Sequence, residues 1–160
     1  TVYGPWGRPD MALFKFAEAM LENSVIDVYN NGEMFRDFTY VTDLVYAIRK
    51  LIDTPPELEE SKLPKTVQDS ISDVAPWRIV NIGNSNKVRL FDLIEALEES
   101  MGIQAQKNFM PMQTGDVLAT WADCSLLQEL TGYRPNTDLK SGVSQFVEWF
   151  LEYKKKSPAL

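Results

Sequence analysis

The sequence predicts an α/β fold in which short strands and helices alternate along a single domain. Residues 11–23 and 90–101 carry apolar side chains at helical spacing. Residues 25–29 and 35–41 are rich in β-branched and aromatic side chains, as strands are. Sequences rich in Gly, Pro and Asn separate these segments, and the 160 residues are enough for one hydrophobic core. Alternation of this kind is typical of the mixed α/β class.

The chain opens on a strand end rather than on a polar tail. Residues 1–3 are β-rich, and a loop of glycines and prolines runs from there to Asp10. Asp10 is the predicted N-cap of the helix at 11–23. The strand at 25–29 ends in the turn signal Asn30-Asn31-Gly32. Because a domain seldom begins inside a strand, we expect the chain to be a piece of a longer protein.

A second amphipathic helix is predicted from Thr42, its N-cap, to about Asp53. Its predicted buried face consists of five apolar residues at helical spacing, Leu44, Val45, Ile48, Leu51 and Ile52. Residues 54–76 are rich in Pro, Glu, Ser and Asp, and we expect them to form a mobile surface loop. The apolar run at 78–82 predicts a buried strand that ends at Gly83.

The rest of the chain continues the alternation. We expect Gly102 to close the helix at 90–101, because glycine accepts the left-handed conformation at a helix end. The remaining predicted elements are a strand at 104–110, a loop at 113–123, and helices at 124–131 and 142–154.

The composition excludes several classes of site. The chain has no histidine and a single cysteine, Cys124, which rules out histidine acid–base chemistry and multi-cysteine metal sites within it. A net charge of −7 argues against a nucleic-acid surface, and every apolar run is too short for a membrane helix. The eight glycines form neither a G-x-G-x-x-G nor a G-K-[ST] motif, so the usual phosphate-binding loop is absent from the sequence. We therefore expect no metal, nucleic-acid or membrane ligand.

Three charged residues are candidate ligand contacts. Arg36 follows a hairpin turn and could present a planar cation to a diphosphate, or it could pair with Asp37 at the surface. Arg8 lies in the rigid Gly/Pro loop and could fork onto a substrate carboxylate or lie in solvent. Asp116 follows a glycine and could accept hydrogen bonds from ribose hydroxyls or belong to an ordinary turn. The local sequence leaves both interpretations of each residue open.

Two further patterns do not indicate a site. Tyr46 and Lys50 have the Y-x-x-x-K spacing of a tyrosine–lysine acid–base pair, and i and i+4 share a helix face. Core-type apolar residues surround them, however, and no glycine-rich cofactor loop precedes them. The acidic cluster at 57–60 and the lysines at 154–156 are expected to be solvated.

The order of these signals along the chain carries a resemblance. The stretches concerned are 1–12, 27–32, 36–41, 80–83 and 114–123. In that succession they resemble the C-terminal half of extended short-chain dehydrogenase/reductases that act on nucleotide sugars. The resemblance covers nearly the whole chain, and Gly7-Arg8-Pro9-Asp10-Met11 is most similar to UDP-glucuronate 4-epimerases.

The resemblance implies a fold in two parts. The chain would be the C-terminal substrate-binding portion of a Rossmann-type α/β enzyme, with residues 1–160 as the UDP-sugar-binding portion. The N-terminal part would be missing and would bind most of the NAD, and the strand at 79–82 would join its sheet. The glycine-rich loop and the catalytic Tyr/Lys pair would lie upstream of Thr1, so the resemblance implies no catalytic residue in this chain.

The resemblance also implies residue roles at the sugar end of the site. Thr1 and Val2 would lie beside the nicotinamide of NAD and the sugar. Thr1 and Arg8 would engage the carboxylate of glucuronate, and Lys15 would line the same pocket.

Other residues would hold the nucleotide. The backbone around Val28 and Tyr29 would grip uracil. Arg36 would bind the diphosphate, and Asp116 would bind the ribose. Gln113 stands where many relatives have an arginine shortly before the Gly-Asp pair.

The implied function is the interconversion of UDP-glucuronate and UDP-galacturonate through a 4-keto intermediate, in a cytoplasmic enzyme that supplies surface polysaccharide. The alternatives are a UDP-glucuronate decarboxylase, a nucleotide-sugar 4,6-dehydratase, or a non-catalytic sugar-nucleotide-binding module. The isolated chain would be inactive. An unprotected strand edge at 80–83 predicts that it forms homo-oligomers.

Overall fold

The computed structural model describes residues 1–57, 63–64 and 66–156. Short strands and helices alternate through this part of the chain. The strands are β1 (Val2–Tyr3), β2 (Val25–Val28), β3 (Phe35–Arg36), β4 (Thr39–Tyr40), β5 (Val88–Arg89) and β6 (Gln106–Phe109). The helices are α1 (Ala12–Leu21), α2 (Val41–Ile52), α3 (Leu90–Met101), α4 (Ser125–Thr131) and α5 (Leu139–Lys156).

The strands pair two by two in small sheets. β1 lies parallel to β4, with Val2 opposite Thr39. β2 lies parallel to β6 along its whole length, whereas β3 and β5 are antiparallel. Parallel pairing needs a crossover connection, and helices supply it here. This arrangement confirms the predicted α/β class.

The main core lies between β2 and the helices α1, α3 and α5. Large side chains that are fully buried there are Phe146, Phe150, Leu93, Ile94, Leu97 and Val28. Phe14 of α1 meets Phe150 edge-on, with 5.2 Å between the ring centroids. Edge-to-face rings contribute about 0.5–1.5 kcal/mol beyond the area that they bury. Aromatic packing therefore holds α1 against α5.

The helix starts differ from the predicted caps. α1 begins after Met11 and α2 after Tyr40, and neither helix has a side-chain N-cap. Asp10 does not cap α1, because both oxygens of its carboxylate accept hydrogen bonds from Arg8. Thr42 does not cap α2, because it already lies inside the first turn.

The last third follows the predicted order with small shifts. Gly102 closes α3 with a left-handed φ of 65°, as predicted. β6 lies within the predicted strand at 104–110. α5 begins at Leu139 rather than at residue 142. Just before its first residue, the carboxylate of Asp138 accepts the N–H of Ser141 at 3.1 Å. A carboxylate at that position satisfies a free donor of the first helical turn.

Helix α2 turns its apolar face to the surface, which corrects its predicted burial. Val45, Ile48 and Ile52 are 58%, 45% and 67% exposed, and Leu44 and Leu51 are half-buried. Periodicity identifies which face of a helix is apolar, but it cannot tell what covers that face. Within the described residues no segment covers it.

The opposite side of α2 packs against α4. The small core between them consists of Ala47, Cys124 and Leu127. Asp43, in the first turn of α2, accepts the hydroxyl of Tyr133 at 3.0 Å and the N–H of Thr137 at 2.9 Å. Burial, helped by the bond to Asp43, raises the pKa of Tyr133 to about 12.

The predicted strand at 78–82 does not form. In the described chain no strand lies alongside it, and Ile79 instead donates its N–H to the Ser70 hydroxyl at 3.0 Å. The same hydroxyl donates to the carbonyl of Ile79 at 2.5 Å. Ile79 is 65% exposed, so its predicted burial is also wrong. A β-rich run stays irregular when no neighbouring strand supplies hydrogen bonds.

The predicted loop at 54–76 lies partly outside the described residues. Its described part contains no helix or strand. Near its end Arg78 Nε pairs with Asp69 Oδ1 at 2.9 Å, and both side chains are largely buried. The predicted mobility of the loop stays a prediction.

Candidate functional site

A cleft of about 560 Å³ opens between the N-terminal loop, α1, the end of β2 and the loop at 113–116. Its walls include Thr1, Val2, Arg8, Lys15, Tyr29, Arg36, Gln113 and Asp116. Every residue proposed for a site from the sequence, except Val28, lies around this one cleft. These residues come from segments that are far apart in the chain, and the tertiary fold brings them together.

Val28 is buried in the core instead. Its side chain is fully buried, and its carbonyl accepts the N–H of Met110 at 3.0 Å. That carbonyl is therefore occupied in joining β2 to the end of β6. Tyr29 does reach the cleft, and the chain then reverses through Asn30 and Asn31, both in the left-handed region at φ 50°. The predicted turn is confirmed.

Aromatic packing anchors the loop that carries Arg8. Trp6 has a φ of 61°, and its ring packs against Trp149 of α5 at 5.4 Å between centroids. The N–H of Gly7 donates to the carbonyl of Gly4 at 3.2 Å, which closes a turn. Arg8 therefore follows directly after a turn that these two contacts fix in place.

The guanidinium of Arg8 is already paired in this structure. Its Nε and Nη2 donate to the two carboxylate oxygens of Asp10, at 3.0 and 2.5 Å. The two side chains are 75% and 56% exposed. The hydrogen bonds from Arg8 lower the pKa of Asp10 below its usual value. Arg8 thus binds a carboxylate in the way that the sequence interpretation required, but the carboxylate belongs to the protein.

Arg36 and Asp37 are neighbours in sequence but lie in different surroundings. Arg36 is half-buried at the cleft, and its Nη1 donates to the carbonyl of Phe35 at 2.8 Å. Asp37 is only 4% exposed. Its carboxylate accepts the backbone N–H groups of Asn84, Ser85 and Ala122 at 3.0–3.1 Å. The alternative of a surface Arg36–Asp37 pair is therefore wrong.

The Asp37 carboxylate fastens two distant segments behind β3. Gly83 lies against it, and a Cβ at that position would come 2.7 Å from Asp37 Oδ2 and 2.7 Å from Ala122 Cβ. Only glycine allows so close an approach. The buried carboxylate thereby supports the strand from which Arg36 reaches the cleft.

Lys15, Gln113 and Asp116 complete the polar wall, and all three are exposed. Within the described residues, the Lys15 amine and the Asp116 carboxylate make no hydrogen bond or ion pair, although the charge of Lys15 helps to lower the pKa of Asp10. The N–H of Asp116 donates to the carbonyl of Gln113 at 3.1 Å, across a turn in which Gly115 has a φ of 92°. The turn holds the free carboxylate at the mouth of the cleft.

The cleft collects cations in a chain whose net charge is −7. Arg8, Lys15 and Arg36 come to it from the N-terminal loop, α1 and β3. Carboxylates in the same walls are those of Asp10, Asp27 and Asp116. Cations on separate elements suit an elongated ligand that carries more than one anionic group.

Sequence reasoning missed part of the lining. Among the missed residues are Asp10, Asp27, Met34, Phe38 and Leu90. Asp10 was assigned to a helix cap, although an aspartate two residues from an arginine can also pair with it. The alternation of β2, in which Ile26 and Val28 are buried and the residues between are exposed, could have placed Asp27 on the open face.

Tyr46 and Lys50 do not belong to the cleft. Lys50 Nζ lies 5.5 Å from the centroid of the Tyr46 ring, which packs edge-on against Tyr133 at 4.7 Å. These contacts give both residues a packing role on the surface of α2.

The residues present fit the edge of a dinucleotide site rather than a whole one. Thr1 and Val2 are exposed at the cleft and could touch a flat ring. The sequence has no glycine-rich loop leading into a helix, which is the structure that holds the phosphates of a dinucleotide.

Two kinds of feature are absent from the described residues. No group of His, Cys, Asp and Glu there could hold a metal ion. None of the helices in that part of the chain is long and apolar enough to cross a membrane.

Comparisons with known proteins agree with the resemblance of the motifs. Residues 1–67 match the family described as "NAD dependent epimerase/dehydratase family". The chain is 49% identical to protein CapI of Staphylococcus aureus, over 98% of this chain and 46% of that protein. It is 47% identical to a probable UDP-glucuronate 4-epimerase of Rhizobium meliloti, over 94% of this chain and 44% of that protein.

A solved structure shares the fold. It is the UDP-glucuronic acid 4-epimerase of Bacillus cereus in complex with UDP-glucuronic acid and NAD, with a TM-score of 0.77 and 29% identity. The match covers 96% of this chain and 43% of that one, so the chain spans less than half the length of these relatives. The chain is therefore similar to the NAD dependent epimerase/dehydratase family over residues 1–67, and to these relatives over nearly its whole length.

Proposed function

We propose that this chain is the C-terminal, nucleotide-sugar-binding portion of an NAD-dependent 4-epimerase. The enzyme would interconvert UDP-glucuronate and UDP-galacturonate through a 4-keto intermediate. The observation that carries the proposal is the meeting of Arg8, Lys15 and Arg36 at one cleft. Relatives named as UDP-glucuronate 4-epimerases support the choice of substrate.

The charges of the cleft fit the charges of this substrate. UDP-glucuronate is anionic at its diphosphate and again at the C6 carboxylate of the sugar. Arg36 would bind the diphosphate, and its partial burial would strengthen that contact. Arg8 would bind the carboxylate as a bidentate fork, with Thr1 and Lys15 beside it. Two separated cations thus orient the sugar between the two ends of the ligand.

The remaining contacts would hold the nucleoside. The free carboxylate of Asp116 would accept hydrogen bonds from the ribose hydroxyls. The uracil edge would be bound by the backbone at Tyr29, which lines the cleft, rather than by Val28, whose carbonyl is occupied. Gln113 would contribute a neutral amide near the diphosphate. We expect a weaker diphosphate grip here than an arginine at the same position would give.

The catalytic parts would lie elsewhere in the protein. When bound, NAD supplies the acceptor and donor of the hydride at C4 of the sugar. Thr1 and Val2 are the residues of this chain that would touch it. Residues 79–82, which have no partner strand in the described chain, would pair with the sheet of the NAD-binding part. The role of this chain is to bind and orient the sugar.

The test is a turnover assay of the full-length protein with NAD and UDP-glucuronate. We expect UDP-galacturonate to form without release of carbon dioxide. UDP-xylose with carbon dioxide would instead identify a decarboxylase, and a 4-keto-6-deoxy product from a neutral nucleotide sugar would identify a dehydratase.

The isolated 160-residue chain should show no turnover in the same assay. Turnover by the isolated chain would contradict the absence of catalytic residues from it. Failure of the full-length protein to bind any UDP-sugar would overturn the whole proposal.

A further inference from the structure

We propose that Asp10 competes with the carboxylate of the ligand for Arg8, and so sets how strongly the cleft prefers an acidic sugar. The proposal rests on the proposed function, in which Arg8 binds the sugar carboxylate. Its starting point is that Arg8 already holds a carboxylate, and that this group is chemically the same as the one on the ligand.

The competition follows from the donors that Asp10 uses. Arg8 has five N–H donors, and Asp10 takes those on Nε and Nη2 as a bidentate pair. A sugar carboxylate cannot use the same two donors at the same time. If it used the other donors, it would meet a guanidinium whose charge Asp10 has already neutralised. In either geometry Asp10 weakens the binding of a second carboxylate.

Replacing Asp10 by a ligand carboxylate on Arg8 costs little free energy, because the Arg8–Asp10 pair is open to solvent. Both side chains are more than half exposed, so water screens their attraction and can solvate the released carboxylate. Lys15 lines the same wall, and its charge already helps to lower the pKa of Asp10. It therefore offers Asp10 a second cation after a ligand has taken Arg8.

The competition should act on acidic sugars and spare neutral ones. A neutral sugar has no group that would displace Asp10, so its affinity does not depend on the pair. For an acidic sugar the apparent affinity falls with the fraction of Arg8 that is free. For an exposed ion pair of this kind, the arginine is unpaired in about one half to one sixth of the protein molecules. Removing the charge of Asp10 should recover that loss.

The experiment measures the Kd of UDP-glucuronate and of UDP-glucose for the full-length protein at saturating NAD. In Asp10→Asn we expect the Kd of UDP-glucuronate to fall about two- to sixfold, with that of UDP-glucose unchanged. Asp10→Ser should give the same result. Asp10→Glu keeps the charge and should stay near the wild type. Asp10 is exposed, so these changes leave the core untouched.

Asp27→Asn is the matched control. It removes one negative charge from the same cleft, but Asp27 accepts a hydrogen bond from Asn108 at 2.8 Å and does not contact Arg8. A general effect of charge would therefore tighten the binding of both ligands in this variant, and that of UDP-glucuronate more, because it carries one more negative charge. A change confined to UDP-glucuronate in Asp10→Asn, and absent from Asp27→Asn, supports competition.

Unchanged or weaker binding of UDP-glucuronate in Asp10→Asn would overturn the proposal, because Asp10 would then merely orient Arg8. Arg8→Gln separates this failure from failure of the proposed function. If Arg8→Gln keeps the preference for UDP-glucuronate, the assigned role of Arg8 is wrong. If Arg8→Gln abolishes the preference while Asp10→Asn has no effect, only the competition is wrong.

Discussion

Tyr3 carries a buried hydroxyl that no hydrogen bond satisfies. Among the side-chain atoms of the described residues, its Oη is the buried polar atom without a partner. Burial also raises the pKa of Tyr3. The ring packs edge-on against Tyr40 at 5.4 Å and Phe38 at 6.0 Å, beside the wall of the cleft. Tyr3 is therefore held in place by its ring, and its hydroxyl carries an uncompensated desolvation cost.

We expect Tyr3→Phe to raise the free energy of unfolding by about 1 kcal/mol, because it removes a buried unsatisfied group. Urea unfolding of the wild type and the variant measures the difference. Tyr40→Phe is the control, since the Tyr40 hydroxyl donates to Gln145 at 3.1 Å and its loss should bring no gain. A Tyr3→Phe protein that is less stable than the wild type would mean that the hydroxyl has a partner after all.

At the scale of an element, helix α2 is packed on one side and exposed on the other. One side of it forms a small core with α4, while Val45, Ile48 and Ile52 face outward. The relatives are about twice as long as the chain. We therefore expect the remainder of the protein to cover this face, and the isolated chain to hide it by self-association.

Replacing Val45 and Ile52 with lysine should reduce that self-association. Light scattering of the isolated 160-residue chain should give a dimer or larger for the wild type and a monomer for the double variant. Lysine at Val74 and Val117, which are 88% and 53% exposed, is the matched control for the added charge and should not change the mass. A monomeric wild type at high concentration would contradict the prediction.

Local rules predicted most of the elements of this fold. The helices with clear periodicity and the glycine at residue 102 appear where they were expected, because their signals lie within a few residues of each other. The irregular conformation of residues 78–82 and the exposure of α2 were not predictable, since strand pairing and the covering of a helix face depend on contacts between distant segments. Asp10 was mistaken for a cap because Arg8 offers its carboxylate a stronger partner than the free N–H groups of α1.

The residues proposed for the site lie together in the fold, and their roles stay predictions. The order of the motifs pointed to residues that the fold brings together around one cleft, from Thr1 to Asp116. Val28 is the exception, because strand alternation places its side chain in the core. The role of Asp37 in holding the strand of Arg36 was also not predicted, because its carboxylate accepts hydrogen bonds from residues far along the chain.

At the scale of the whole molecule, we propose that the chain binds a ligand with two anionic ends. Three of its cations line one cleft beside three carboxylates, and in the described chain the apolar face of α2 is exposed and residues 79–82 have no partner strand. These features agree with the chain's share of less than half of its relatives' length. The central claim is that Arg8 makes this cleft select an acidic nucleotide sugar.

The most direct test is to compare the Kd values of UDP-glucuronate and UDP-glucose in the full-length wild type and in Arg8→Gln. We predict that UDP-glucuronate binding weakens by about tenfold to a hundredfold, the range for lost charge-assisted hydrogen bonds, while UDP-glucose binding hardly changes. Arg89→Gln is the control, because Arg89 is also exposed and paired with an aspartate but does not line the cleft. An equal loss for both ligands, or no loss for either, would contradict the account.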